Sequence, residues 1–193
     1  MSKRIALLSA VAFSALAITA SVVAPASAQD KMKSEMSGEK TVMVGGAAMF
    51  PSKNIVQNAV NSKDHTTLVA AVKAAGLVDT LESKGPFTVF APTNAAFGKL
   101  PAGTVDTLVK PENKATLTKI LTYHVVAGKL EASDLTDGKK LKTVEGEELT
   151  VKKSGDSVTI VDAKGGSSTV TIPNVNQSNG VIHVVDTVLM PAS

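Results

Sequence analysis

Three histidines, His65, His124 and His183, are the side chains of this sequence best suited to proton transfer or metal binding. They lie far apart along the chain and show neither the H-x-H nor the H-E-x-x-H spacing of a metal site. Folding could still bring His124 and His183 together. Because buried polar groups normally find partners, we expect each of these two rings to make a fixed hydrogen bond to the backbone or to a side chain such as Asn94 or Asp186. A structural role is therefore predicted for both, with ligand binding or catalysis as the alternative.

Other patterns that support catalysis are weak. The sequence contains no G-x-S-x-G element, and no spacing of Ser, His and Asp nominates a triad. A carboxylate cluster at a predicted hairpin tip is more simply a solvated turn than an acid–base pair; it comprises Glu145, Glu147 and Glu148. Two glycine pairs lack the strand-to-helix context and the following lysine of a phosphate loop: Gly45-Gly46 and Gly165-Gly166. We expect a protein that is not an enzyme, with no catalytic residue, no metal ligand and no cofactor.

The N-terminal part of the chain is rich in methionine. Four of the six methionines are Met32, Met36, Met43 and Met49. Thioethers are soft ligands suited to Cu(I), and the first two would share a face if the segment were helical. Methionine is also a common filler of irregular gaps, and no histidine stands beside these residues. We interpret them as filler and keep metal binding as the alternative.

The first 28 residues have the pattern of a secretory signal peptide. A short positive start, Ser2-Lys3-Arg4, precedes an apolar run from Ile5 to Ala20, and Ala26-Ser27-Ala28 supplies the small residues of a cleavage site. Cleavage after Ala28 is predicted; an uncleaved anchor and a cut after Ala26 are the alternatives. The sequence has no cysteine, so neither a lipidated cysteine nor a disulfide framework is available. These features predict a secreted, extracellular or periplasmic protein without membrane insertion after cleavage.

Cleavage also changes the charge of the protein. The full chain has 20 Lys+Arg and 17 Asp+Glu, and loss of Lys3 and Arg4 leaves a net charge of +1 and no arginine. Tyr123 is the only tyrosine, and there is no tryptophan. Nucleic-acid recognition commonly uses bidentate arginine contacts to phosphates and guanine and the stacking of bases on aromatic side chains. No nucleic-acid partner is therefore expected.

After the leader, the sequence predicts a spacer with an extended segment over residues 29–51 and one domain over residues 52–191. Helical spacing dominates the first half of the domain, with Ser52 as a candidate N-cap, a helix beginning near Thr66 and Gly76 as its stop signal. From Val125 onward, hairpin signals separate strand-like runs at Lys139–Val144, Leu149–Lys153, Ser157–Val161, Thr169–Ile172 and Val181–Leu189. This predicts an α+β fold, with a helical N-terminal half packed on a strand-rich, mostly antiparallel C-terminal half.

The stretch from Gly85 to Phe97, GPFTVFAPTNAAF, combines a turn, a buried strand, a proline stop and Thr93 as the N-cap of a helix. Tyr123-His124 and the run GVIHVVDTVLMP, from Gly180 to Pro191, follow it at a distance. Together these three motifs resemble the fasciclin domain, a module of secreted and cell-surface adhesion proteins. The resemblance implies a fasciclin-like fold, in which Thr93, Asn94, Tyr123, His124, His183 and Asp186 are motif residues that we expect to be structural.

The same resemblance implies a binding role without a cofactor, in cell adhesion or contact with the extracellular matrix. In animal matrix members an Asp-Ile pair shortly before the last motif is assigned to receptor adhesion; the corresponding positions here hold Asn174 and Val175. We take these residues as the candidate adhesion surface, although the carboxylate is missing. Expected partners are cell-surface or matrix proteins or envelope polymers. The alternative function is a periplasmic protein that binds a small ligand or a metal.

Overall fold

The structure, a computed structural model, describes residues 40–192. The predicted signal peptide and the charged part of the spacer, residues 1–39, lie outside the described residues. The domain boundary at residue 52 stays a prediction. Between residues 40 and 192, no helix is both long enough and apolar enough to cross a membrane.

Helices occupy the first half of the described chain. They are α1 (Ile55–Ala59), α2 (Thr66–Ala75), α3 (Val78–Glu82), α4 (Asn94–Gly98), α5 (Thr104–Leu108) and α6 (Lys114–Tyr123), with 3-10 turns at Lys63–His65 and Pro111–Asn113. Gly76 ends α2 in the left-handed conformation at φ 72°, as the sequence predicts. The N-cap prediction at Ser52 is wrong. Asn54 caps α1 instead, since its side chain accepts from Gln57 N while the Gln57 side chain accepts from Asn54 N.

The strands are β1 (Val42–Val44), β2 (Ala47–Met49), β3 (Phe87–Pro92), β4 (Val125–Ala127), β5 (Lys140–Lys142), β6 (Glu148–Ser154), β7 (Ser157–Val161), β8 (Ser167–Gln177) and β9 (Gly180–Val185). β1 and β2 form a separate antiparallel hairpin. The other strands make one sheet in the order β4-β3-β9-β8-β7-β6-β5.

The main sheet corrects the predicted division into two halves. β3 lies in the helical half of the sequence, yet it pairs in parallel with the final strand β9, with Phe87 opposite Gly180 and Pro92 opposite Val185. The sheet is therefore mixed rather than confined to an antiparallel C-terminal half. Its two ends approach each other, because Val126 bridges to Thr143 and Val144 N donates to Val125 O at 2.8 Å. This contact nearly closes the sheet into a barrel.

Two groups of buried apolar side chains flank the sheet. The first core lies between the helices and the sheet and includes Ile55, Leu68 and Val72. The second core lies inside the curved sheet and includes Phe90, Tyr123 and side chains from β4–β7. β3 and β9 serve both cores: Val89 and Ile182 belong to the first, whereas Phe90 and Val185 belong to the second. Because successive side chains of a strand point to opposite faces, a strand that serves two cores is continuously apolar.

Candidate functional site

Thr93 and Asn94 join the end of β3 to the helices. Thr93 is the N-cap of α4, and its hydroxyl accepts from Ala96 N at 3.2 Å, as the sequence predicts. Asn94 Oδ1 accepts from Thr67 N at 3.0 Å, and Asn94 Nδ2 donates to Lys63 O at 2.8 Å. The two side chains therefore fix the starts of α4 and α2 relative to each other, and these bonds occupy both polar atoms of the Asn94 amide.

His124 is a buried ring whose two nitrogens are both hydrogen-bonded. Nδ1 lies 2.8 Å from Ile120 O, and Leu189 N donates to Nε2 at 3.0 Å. Since a carbonyl only accepts and an N–H only donates, the ring must carry its proton on Nδ1 and be neutral. Burial lowers the pKa of His124 to about 4, although the Ile120 carbonyl and the charge of Asp162 act in the opposite direction. No lone pair is left for a metal ion or for general base catalysis.

His183 is also bonded through both ring nitrogens, but it carries its proton on Nε2 rather than on Nδ1. Nε2 lies 2.8 Å from Leu130 O, and Asn174 N approaches Nδ1 at 3.4 Å as a donor. The ring stacks on Phe90, with the centroids 5.6 Å apart. Burial lowers the pKa of His183, so this ring is also neutral near pH 7. Both motif histidines are therefore hydrogen-bonded to backbone groups, and neither bonds the side chain of Asn94 or Asp186.

Tyr123 and Asp186 organise turns around the second core. Tyr123 Oη accepts from Ala163 N at 2.9 Å, and burial raises the pKa of this phenol. Asp186 Oδ1 accepts from Thr169 N at 2.8 Å, and Oδ2 lies 3.3 Å from Lys99 Nζ. Partial burial by itself would raise the pKa of Asp186, but these bonds and the lysine charge leave it lowered. Both polar groups therefore have partners within the fold.

The two residues of the candidate adhesion surface, Asn174 and Val175, differ in exposure. Val175 is 1% exposed and packs in the first core, so its side chain is not available to a partner. Asn174 is half-buried, and its role in adhesion stays a prediction. Asn174 adopts a left-handed conformation at φ 55°, within an irregular part of the pairing of β8 with β9. Its Oδ1 accepts from Ala132 N at 2.7 Å. Asn174 thus holds a neighbouring loop.

Metal ligands do not cluster in the described part of the chain. Among residues 40–192, no group of three or more His, Cys, Asp or Glu side chains is placed to hold an ion. Met43 is 60% exposed, whereas Met49 is 3% exposed and belongs to the first core, so these two thioethers face different environments. Met32 and Met36 lie outside the described residues.

Sequence reasoning missed the importance of Asn179. Its Oδ1 accepts from Ile55 N at 3.0 Å, and its Nδ2 donates to Leu81 O at 2.6 Å and to Ser83 O at 2.9 Å. One amide thereby joins the β8–β9 turn to α1 and to the end of α3. The only signal in the sequence is the Asn179-Gly180 pair, which indicates a turn but not these distant partners.

The structure gives His65 a different environment from His124 and His183. Its Nδ1 is 2.8 Å from Ser62 Oγ. Nε2 is buried and has no hydrogen-bond partner among the described residues. Burial lowers the pKa of His65, whereas the Ala91 backbone and the charge of Asp64 act in the opposite direction. His65 is thus a neutral ring with one nitrogen that has no assigned hydrogen bond within residues 40–192.

Comparison with known proteins agrees with this architecture. The family model described as "Fasciclin domain" matches residues 63–191. The insect cell adhesion molecule Fasciclin I, solved as a FAS1 domain pair, shares the fold with a TM-score of 0.65 at 19% identity, covering 73% of this chain and 52% of that one. At that identity, the likeness shows the fold alone.

Bacterial relatives are closer in sequence. Protein sll1483 of Synechocystis sp. is 50% identical over 153 residues, which cover 79% of this chain and 82% of that protein. Immunogenic protein MPB70 of Mycobacterium bovis is 43% identical, covering 69% of this chain and 66% of its own length. Cell surface glycolipoprotein MPB83 of Mycobacterium bovis is 40% identical, covering 77% of this chain but only 64% of MPB83. The chain belongs to the fasciclin domain family.

Proposed function

We propose that this protein is an exported, non-enzymatic adhesion-type module that binds cell-surface proteins, matrix proteins or envelope polymers. The observation that carries the proposal is membership of the fasciclin domain family. Relatives named as a cell surface glycolipoprotein and as a cell adhesion molecule point in the same direction. The predicted signal peptide is consistent with action outside the cytoplasm, either in the periplasm or beyond it.

The internal use of the motif residues supports a binding role over a catalytic one. His124 and His183 use both ring nitrogens to bond backbone groups, and the Asn94 amide bonds Thr67 N and Lys63 O. Side chains that are saturated inside a fold cannot also contact a partner without breaking those bonds. We therefore expect recognition to use exposed residues elsewhere on the domain.

We place the contact on the outer face of the β5–β7 sheet, which we call the meander face. Leu149 and Val151 of β6 point into the second core, so the alternate residues Thr150 and Lys152 point outward. Register adds Lys140 opposite Thr150 and Thr159 opposite Lys152. The face also carries Lys142 and Glu148, so lysines outnumber carboxylates on it. A partner with acidic groups fits this charge best.

The test uses the labelled protein in its exported form, after removal of the predicted signal peptide. It measures binding of this protein to intact cells and to envelope extracts of the host. Lys142→Glu combined with Lys152→Glu reverses two charges on the meander face, and we expect at least a tenfold loss of binding. The matched control reverses two exposed lysines on the helical side, Lys84→Glu with Lys114→Glu, at equal change of net charge. If the protein is an adhesion module, a strain in which its gene is deleted should also attach less well to surfaces.

Three results distinguish an effect of net charge, the location of the contact and the adhesion function itself. Equal loss in both double variants would show that net charge rather than the meander face governs binding. Full binding by the meander variant would move the contact to another surface. Absence of binding by the unaltered protein, together with normal attachment of the deletion strain, would overturn the adhesion function.

A further inference from the structure

An almost entirely apolar cavity lies between the helices and the main sheet. The space that the centre of a water-sized sphere can occupy inside it has a volume of ≈ 50 Å³. Helices contribute Ile55, Val72 and Leu81 to the lining, and the sheet contributes Val89 and Ile182. Interiors of proteins are normally packed with few voids larger than a water molecule, so a space of this kind is a specific feature of the first core.

The lining reaches the surface between the first three helices. Val56 of α1, Val69 of α2 and Val78 of α3 line the cavity and are only half-buried, and Lys73 of α2 is exposed. These short helices are joined to the sheet by side-chain packing rather than by a backbone ladder. The lining therefore extends to the surface on the helical side, where we expect a small molecule to enter.

One unused polar atom belongs to the lining. His65 and Ser62 both line the cavity, and their side chains bond each other at 2.8 Å through Nδ1 and Oγ. The imidazole is 3% exposed, and its Nε2 has no partner within the described residues. Because the Ser62 hydroxyl can donate or accept, Nε2 can serve either as an acceptor or as a donor.

We propose that this cavity binds a small, mainly apolar molecule that carries one hydroxyl or carbonyl group, and that His65 Nε2 is the hydrogen-bond partner of that group. Apolar walls with a single polar atom select a ligand of the same composition. An apolar cavity of about 150 Å³ accommodates benzene or xenon, so the space here suits a molecule with fewer non-hydrogen atoms than benzene. Short-chain alcohols, ketones and aldehydes fit that description.

The test is an NMR titration of the full-length export product with two probes, 1-propanol and xenon. Both probes fit apolar space, but only the alcohol can bond His65. We expect both to shift the methyl resonances of Val72 and Ile182 saturably, and only 1-propanol to shift the Nε2 resonance of His65. His65→Leu should keep the xenon shifts and weaken 1-propanol binding at least tenfold.

Variants that fill the cavity provide a second readout. Ala59→Leu adds a larger side chain at a lining position and should abolish the shifts caused by both probes, whereas Ala74→Leu on the exposed face of α2 should leave them unchanged. If Ala59→Leu fails to fold, Val69→Ile narrows the same cavity more gently and should weaken both probes.

Absence of saturable methyl shifts with either probe would overturn the proposal, because the cavity would then be inaccessible or filled by water. Equal affinity of 1-propanol for the unaltered protein and for His65→Leu would overturn the role of Nε2. Neither result bears on the adhesion function, which uses a different surface and is read by cell binding.

Discussion

The two cores of this protein treat their polar groups differently. Around the second core, Tyr123 and His183 have protein partners, and the apolar residues Leu149, Val151 and Ile160 are each fully buried. The first core contains an apolar cavity and His65, whose Nε2 has no hydrogen-bond partner among residues 40–192. The difference shows that motif residues around the second core stabilise the barrel, whereas the helix-covered side retains space that packing does not require.

The strongest contrast is expected from matched histidine substitutions. His183→Leu removes the partners of Leu130 O and Asn174 N, and it should lower the free energy of unfolding by about 3 kcal/mol. His65→Leu leaves one buried group, the Ser62 hydroxyl, without its partner rather than two, and should cost about 1 kcal/mol. Urea denaturation of the two variants measures both values. Equal losses would remove the distinction between the cores.

Acid should destabilise the fold through its buried neutral histidines. The pKa of His124 falls from 6.5 to about 4 on folding, so between these pH values the unfolded chain binds more protons than the native one. Stability is therefore complete above pH 6.5 and decreases as the pH falls, by about 1.4 kcal/mol per pH unit for this residue until about pH 4. Folding free energies measured from pH 7 to pH 5 should show this slope, and His124→Gln should reduce it. An unchanged slope in the variant would contradict the assignment.

Adding one methylene to each core tests the packing difference. Val151→Ile extends a fully buried side chain of the second core and should destabilise the protein by about 1–2 kcal/mol through overpacking. Val72→Ile extends a side chain that lines the cavity, so it should be neutral or should stabilise by up to about 0.8 kcal/mol. Thermal unfolding of both variants gives the comparison. A larger loss for Val72→Ile would mean that the first core is the tighter one.

Disrupting the exposed ion pair between Lys99 and Asp186 should change the unfolding free energy less than the matched histidine substitutions in the two cores. The two side chains are 51% and 41% exposed, so solvent screens their attraction. Lys99→Ala should change the unfolding free energy by less than about 0.5 kcal/mol, with little dependence on salt. Asp186→Ala should cost more, since its carboxylate also accepts from Thr169 N. The ranking fails if the lysine variant proves the more damaging.

Local chemistry made part of this structure predictable from sequence. Thr93 and Gly76 were identified because capping and left-handed stops depend on neighbouring residues alone. The alternation of Leu149, Thr150 and Val151 likewise identified a strand with one wet face. Such signals need no knowledge of distant partners.

Features that depend on distant contacts were missed or misplaced. The parallel pairing of β3 with β9 joins segments separated by most of the domain, and no local pattern indicates it. Val175 looked accessible by its position before the last motif, but packing against the helices buries it. Asn54 replaced Ser52 as the N-cap because its partnership with Gln57 completes a reciprocal pair of bonds. The cavity beside His65 arises only from the assembled helices and sheet.

The central claim is that the two motif histidines are neutral, fully bonded parts of the fold. A side-chain ¹H–¹⁵N spectrum of the histidines tests it directly. We expect His124 to be protonated on Nδ1 and His183 on Nε2 at pH 7, each in a single tautomer, and His124 to remain neutral from pH 7 to pH 5. A ring that exchanges between tautomers at pH 7, or a His124 that becomes positively charged near pH 6, would contradict this assignment and make these residues candidate ligands again.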